Sequence, residues 1–203
     1  MQSDAPKRRA VYDDVAQHYE SVMGPFERWF LPGMRQRVFD NLPRNGRILE
    51  VGAGTGLNFA FYPKEVSGAA SELSREMLKI ARSKNRPNSV KLIQSSAEQL
   101  PFARDSFDAA FATLVMCSVE SPYDALAELR RVVRPGGTVV LLDHVRPRNA
   151  LGPVFDLLNL VTSRLFSDHI NRRMADIAIS AGLEIKKREQ RALGIISLIV
   201  CSV

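Results

Sequence analysis

Residues 47–56 of this chain read Arg-Ile-Leu-Glu-Val-Gly-Ala-Gly-Thr-Gly. A short apolar run closed by glycine suits a buried parallel strand. Glycines just beyond it permit positive φ and let a ligand approach the backbone closely. In open α/β sheets, ligands bind beyond the carboxyl ends of the strands, near the point where strand order reverses. Spacing narrows the choice of ligand. A dinucleotide fingerprint begun at Gly52 needs glycine at position 57, where this chain has Leu57, and the third glycine is Gly56 instead. A Walker loop needs Gly-Lys-Ser/Thr, which is absent.

The rest of the chain alternates between the two periods of regular structure. Val11, Val15, Tyr19, Val22 and Phe26 recur at helical steps, predicting a helix over 6–24 that Gly24-Pro25 breaks. Phe30, Met34, Val38 and Leu42 predict a second helix, ending at Pro43 to Gly46. Strands are expected at 47–52, around 65–72, at 90–94, within 106–115 and at 138–145. Helices are expected from near Leu57, over 74–86 with Ser74 as N-cap, over 121–134, over 153–166 and over 168–181. The last two segments, LEIKKREQ and LGIISLIVCSV, read as two strands joined by a short turn, hence an antiparallel hairpin. Together these predict an α/β fold with a seven-stranded, mostly parallel sheet covered on both faces. At 203 residues, one domain over 1–203 is expected.

The apolar fraction of 45% and charged fraction of 25% exclude a disordered chain. No run of 18 apolar residues exists, and the polar N-terminus lacks a signal-peptide core, so the expected location is cytoplasmic. Cys117 and Cys201 lie in apolar runs with no metal or disulfide spacing, and read as small core residues. The net charge of +6 sits in residues 1–47 and 146–203, while the middle is balanced. Basic ends suit an anionic membrane, an anionic substrate or simply a solvated surface. No basic strip interleaved with aromatics exists, so no nucleic acid partner is expected.

Glu72 lies 20 residues after Gly52, the distance at which an acidic residue meets a ribose diol. Its other reading is a surface carboxylate beside a helix. Beside the glycine loop the ligand reading prevails.

LEVGAGTG, SAEQLPFARDSFD and LRRVVRPGG, in this order within 47–145, resemble class I S-adenosylmethionine-dependent methyltransferases. VYDDVAQHYE (11–20) resembles a helix of the ubiquinone/menaquinone and phospholipid N-methyltransferase branch. TLVMCSV (113–119) and LLDHV (141–145) are similar to segments of small thiol and lipid methyltransferases. The resemblance implies a Rossmann-like doubly wound catalytic core over 46–203, an N-terminal helical lid over 1–45, and S-adenosyl-L-methionine as cofactor. It implies that Gly52, Ala53, Gly54, Thr55 and Gly56 pass under the methionine part, with Glu50 orienting that end. Glu72 would hold the ribose, and Leu73 and Met77 would flank the adenine. Ser96, Ala97 and Glu98 would sit near the adenine edge. Thr113 and Leu114 would lie beside the transferring methyl. Tyr12 and Tyr19 would belong to the lid, with Tyr19 near the reacting atoms.

A sulfonium is already a strong methyl donor, so the protein must chiefly align donor and acceptor. A base is needed where the acceptor must first lose a proton. Asp143 and His144, at the end of the fifth predicted strand, are the candidates; a loop hydrogen bond is the other reading of His144. His18 and His169 are weaker candidates. The three histidines have no ligand spacing, which predicts no metal. Trp29, Phe30 and Leu31 beside Lys7, Arg8, Arg9, Arg28, Arg35 and Arg37 fit either an interfacial helix on an anionic membrane or a lid packed on the sheet. Arg146, Arg148, Arg164, Arg172 and Arg173 suit either a phosphate or ordinary surface charge. The expected acceptor is small or amphipathic. Phosphatidylethanolamine N-methylation leads, ahead of C-methylation of a polyprenyl quinone precursor and S-methylation of a thiol. The remaining alternative is a non-catalytic module on the same fold, binding the cofactor or nucleic acid.

Overall fold

In the computed structural model, which describes residues 5–147, 152–166 and 169–203, the strand before the glycine loop is β1 (Asn45–Val51). It pairs in parallel with β2 (Glu65–Glu72) on one side and β4 (Phe107–Thr113) on the other. β3 (Val90–Gln94) extends the sheet beyond β2, and β5 (Val133–His144) extends it beyond β4, both in parallel. β6 (Glu184–Arg191) and β7 (Ile196–Ser202) form the expected antiparallel hairpin, with β7 inserted between β5 and β6. The order is therefore β3-β2-β1-β4-β5-β7-β6. Chain direction reverses its spread between β1 and β4, and the glycine loop lies at that switch point.

Alternation along β1 sends neighbouring side chains to opposite faces. Leu49 and Val51 join one core with Leu126 and Leu129 of α5 (Pro122–Val132) and Met174 and Ala178 of α7 (Met174–Ser180). Ile48 joins the other, with Met34, Val38 and Phe39 of α3 (Met34–Asp40) and Phe111 of β4. The remaining helices are α1 (Ala5–Val15), α2 (Tyr19–Phe30), α4 (Arg75–Arg82) and α6 (Gly152–Phe166).

Several predicted elements need correction. The first helix breaks at a short 3₁₀ turn, Ala16–His18, and not at Gly24-Pro25. Pro25 lies inside α2. A proline here removes one bond to the carbonyl of Ser21. Both residues are exposed, so water satisfies that carbonyl and the helix continues. The expected helix from Leu57 is replaced by turns and a 3₁₀ turn at Phe59–Phe61. Its aromatic residues bind in several directions: Phe39 stacks on Phe61, and Tyr62 meets Phe39, Phe59 and Phe111. That clustering is incompatible with one helical stripe. The helix expected over 168–181 is confined to α7. Arg172 reaches back to the carbonyls of Met116 and Val119, which holds the preceding segment out of a helix.

A candidate cofactor cleft

The carboxyl ends of β1, β2 and β4 open into a cleft. Gly52 and Gly54 hold φ of 72° and 54°, conformations that side-chain-bearing residues rarely adopt. A Cβ at Gly52 would run into Val115, so this glycine lets the loop close on the segment after β4. A Cβ at Gly54 would meet no protein atom within 4 Å, because Gly54 forms part of the cleft's floor.

Glu72 ends β2 with its carboxylate fixed. Oε2 accepts from Gly54 N at 2.9 Å and Oε1 from Ser74 N at 2.8 Å. Burial raises its pKa, and the backbone donors at Ser74 and Gly54 oppose that rise. Leu73 and Met77 line the same end of the cleft, with Ser95, Ser96, Ala97 and Glu98. Ser96 Oγ donates to Glu98, whose other oxygen accepts from Glu120 N at 2.9 Å. Ser95 Oγ is buried and has no hydrogen-bond partner in the protein. Thr113 and Leu114 line the other end, with Leu114 in the left-handed region at φ 56°. That conformation costs a non-glycine residue roughly 1–3 kcal/mol.

The N-terminal helices close over this cleft. Tyr12 and Tyr19 both line it. Burial raises the Tyr19 pKa, so its hydroxyl stays protonated. Arg35 of α3 also lines the cleft and is buried. It pairs with Glu27 and donates to Asn58 Oδ1 at 2.6 Å. Asn58 Nδ2 donates onward to Glu50 Oε1 at 2.6 Å and Thr113 Oγ1 at 3.2 Å. Tyr62 donates to Glu50 Oε2 at 2.5 Å.

The predicted site residues therefore divide. Tyr12, Tyr19, Gly52, Ala53, Gly54, Thr55, Glu72, Leu73, Met77, Ser96, Ala97, Glu98, Thr113 and Leu114 line one cleft. Glu50 does not reach it. Glu50 is fully buried behind Asn58, which turns its carboxylate away from the opening. Gly56 also lies outside the lining, and a Cβ there would meet the Phe59 ring at 2.6 Å. Asp143 and His144 lie beyond the lining too, with Asp143 Oδ1 3.1 Å from His144 Nδ1. The ring of His144 faces Phe26 of α2, at 6.4 Å between centroids. Sequence reasoning misses Arg35, Asn58 and Ser95. Arg35 reads in sequence as one basic residue on a helix face, and only its buried pairing sets it apart.

Of the arginines that suit either a phosphate or surface charge, Arg146 pairs with Asp156 and Arg172 binds carbonyls. Arg148 and the side chains of Lys7, Arg8 and Arg164 lie outside the described residues.

Comparison with known proteins agrees with this geometry. Residues 49–141 match the family model described as a methyltransferase domain. A demethylmenaquinone methyltransferase of Renibacterium salmoninarum is 35% identical over 146 residues, covering 68% of this chain and 59% of that protein. The chain belongs to the S-adenosylmethionine-dependent methyltransferases. A phosphatidylethanolamine N-methyltransferase of Cereibacter sphaeroides is 37% identical over 105 residues, covering 50% of this chain and 52% of that one. The chain thus spans about half the length of the curated relatives it matches. The fold also matches the crystal structure of an S-adenosylmethionine-dependent methyltransferase from Mesorhizobium loti. That match has a TM-score of 0.66 and 18% identity, covering 82% of this chain and 96% of that one.

S-adenosylmethionine is the cofactor of this methyltransferase family, and the cleft fits it. The floor at Gly54 is bare, the Glu72 carboxylate is fixed as an acceptor, and Ser95 Oγ supplies an unsatisfied polar atom at the apolar end.

Proposed function

We propose that this chain transfers a methyl group from S-adenosylmethionine to an amphipathic acceptor, with phosphatidylethanolamine N-methylation as the leading reading. The cofactor, when bound, supplies an electrophilic methyl on a sulfonium. The chain's own residues bind and align. Glu72 would accept from the ribose hydroxyls, Ser95 and Ser96 would hold the adenine edge, and Leu73 and Met77 would pack against its ring. Gly52 to Thr55 would hold the methionine part, and Arg35 would supply positive charge for its carboxylate. Tyr12 and Tyr19 cover the cleft and exclude water. Thr113 and Leu114 flank the reacting centre. Asp143 and His144, 3.1 Å apart at Oδ1 and Nδ1, are the pair placed to take the acceptor's proton.

One observation carries the lipid reading. α2 supplies Tyr19 to the cleft but buries none of its own residues fully. Instead it exposes Val22 (71%) and Trp29 (78%), with exposed Arg28 beside them. An apolar face with a cation, on the helix that roofs the cleft, suits contact with an anionic lipid surface. A lid packed on the sheet would hide those side chains. Among the described residues, no helix is long and apolar enough to cross a membrane.

The test is transfer of labelled methyl from S-adenosylmethionine into a cell extract, followed by organic–aqueous partition. Label in a zwitterionic or cationic phospholipid supports the reading. Label in a neutral organic product moves the assignment to a quinone precursor. Label confined to the aqueous phase overturns the lipid acceptor in favour of a soluble amine or thiol.

A further inference from the structure

Cys117, Asp143 and His144 each bring a ligand atom to one point, all within 4.8 Å of one another. Cys117 sits in the turn after β4, and Asp143 and His144 end β5. Asp143 organises the group. Its Oδ2 accepts from Cys117 N at 3.2 Å, and its Oδ1 accepts from His144 N at 2.9 Å and lies 3.1 Å from His144 Nδ1. Cys117 and Asp143 are buried, while the imidazole retains an edge to solvent beside Phe26.

We propose that this cluster binds a thiophilic divalent cation of the zinc class. The donor set is one sulfur, one imidazole nitrogen and one carboxylate oxygen. Magnesium and calcium require oxygen ligands, so sulfur and nitrogen select against them. On binding, the thiol proton leaves to solvent, and the imidazole coordinates in its neutral form with its proton on the other nitrogen. The thiolate and carboxylate then balance the charge of the dication. The sequence hides such a site because its ligands come from two strand ends 26 residues apart, not from one short motif. An occupying cation takes the same imidazole and carboxylate that would otherwise receive the acceptor's proton. Cation binding and methyl transfer by this pair are therefore mutually exclusive. The site itself stands on the cluster's geometry and not on the acceptor's identity.

Equilibrium dialysis of the metal-free chain against zinc tests this without any acceptor, and cobalt absorbance gives a second readout. One zinc per chain is expected, with a thiolate-to-cobalt charge-transfer band. Cys117→Ala should abolish that band, and Cys117→Ala and His144→Ala should each weaken zinc binding by about 100-fold or more. Cys201→Ala is the control, because Cys201 is buried in β7 and its thiol is pushed up to about 11 by that burial. It should leave both readouts unchanged. If Cys117→Ala does not fold, His144→Ala, at the cluster's solvent-facing edge, carries the test alone. Absence of stoichiometric zinc in the wild type overturns the proposal. So does zinc binding that His144→Ala leaves unchanged.

Discussion

Asp13 Oδ1 accepts from Ser74 Oγ at 2.5 Å and from Glu76 N at 3.1 Å, so α1 caps the first turn of α4. Ser74 is also the N-cap of α4, and its backbone N–H is bound by Glu72. Ser74 thus joins α1 to the carboxylate of Glu72. Asp13→Ala should remove a cap worth about 1 kcal/mol and loosen the lid. We expect S-adenosylhomocysteine to bind about 5-fold more weakly, with most of the change in dissociation rate. Stopped-flow and titration calorimetry together check this. Equal rates in both proteins would show that α1 does not restrain the cofactor.

Glu72 makes a sharper prediction. Loss of a charge-assisted hydrogen bond costs roughly 1.5–3 kcal/mol, so Glu72→Ala should weaken S-adenosylhomocysteine binding by about 10- to 100-fold. The ionised carboxylate is the acceptor, and burial raises its pKa. Affinity should therefore begin to fall at a higher pH than an ordinary glutamate would impose as the solution is acidified. Calorimetry across that range in wild type and Glu72→Gln separates this titration from general acid unfolding.

Much of the fold and part of the cleft are legible in the amino-acid sequence. The glycine loop, Glu72 and Ser74 are local signals, each read from neighbours a few residues away. β1 to β5 follow from apolar runs bounded by turns. What escapes depends on distant partners. Arg35 looks like its exposed neighbours until Glu27 and Asn58 close around it. Glu50 looks like a cofactor ligand until Asn58 and Tyr62 claim both its oxygens. The helix expected after the loop does not form because Phe61 and Tyr62 pack on Phe39, and Tyr62 also on Phe111, which no local pattern reveals.

Asn58 is the joint of that buried network. Asn58→Ala would leave Glu50 and Arg35 without a shared partner, and unsatisfied buried charged groups are expensive. We expect about 3 kcal/mol of destabilisation, read as a lower urea midpoint at unchanged slope. A change under about 0.5 kcal/mol would mean that water replaces the amide, and that the network is not dry.

Asp108 ties the start of β1 to the start of β5. Its carboxylate accepts from Arg47 N at 2.7 Å and from Arg134 Nε at 2.7 Å. The Arg47 backbone bond, followed by Arg134, holds its pKa below the usual aspartate value against partial burial. A depressed pKa stabilises the fold above the unfolded value near 4, and that contribution disappears as pH falls through the folded value. Asp108→Asn should therefore be less stable than wild type by about 1 kcal/mol at neutral pH, discounted for partial exposure. The two should converge once the pH falls below the depressed folded-state pKa. Parallel denaturation curves that never converge would place the difference in packing.

Gly52 and Val115 meet where the loop closes on the segment after β4. Gly52→Ala imposes two separate penalties. An alanine at φ 72° costs roughly 1–2 kcal/mol of backbone strain. Its Cβ would also collide with the Val115 side chain. The loop must then move, and the floor of the cleft moves with it. We expect Gly52→Ala to weaken S-adenosylhomocysteine binding by more than about 30-fold, consistent with a combined penalty above about 2 kcal/mol. Val115→Ala removes the colliding methyls but not the strain. The double variant should recover part of the loss and no more, giving a favourable coupling of about 1 kcal/mol in a double-mutant cycle. Additive effects would place Val115 out of reach of residue 52 and assign the whole penalty to φ. Full recovery would assign it to the collision and leave the positive φ without a role.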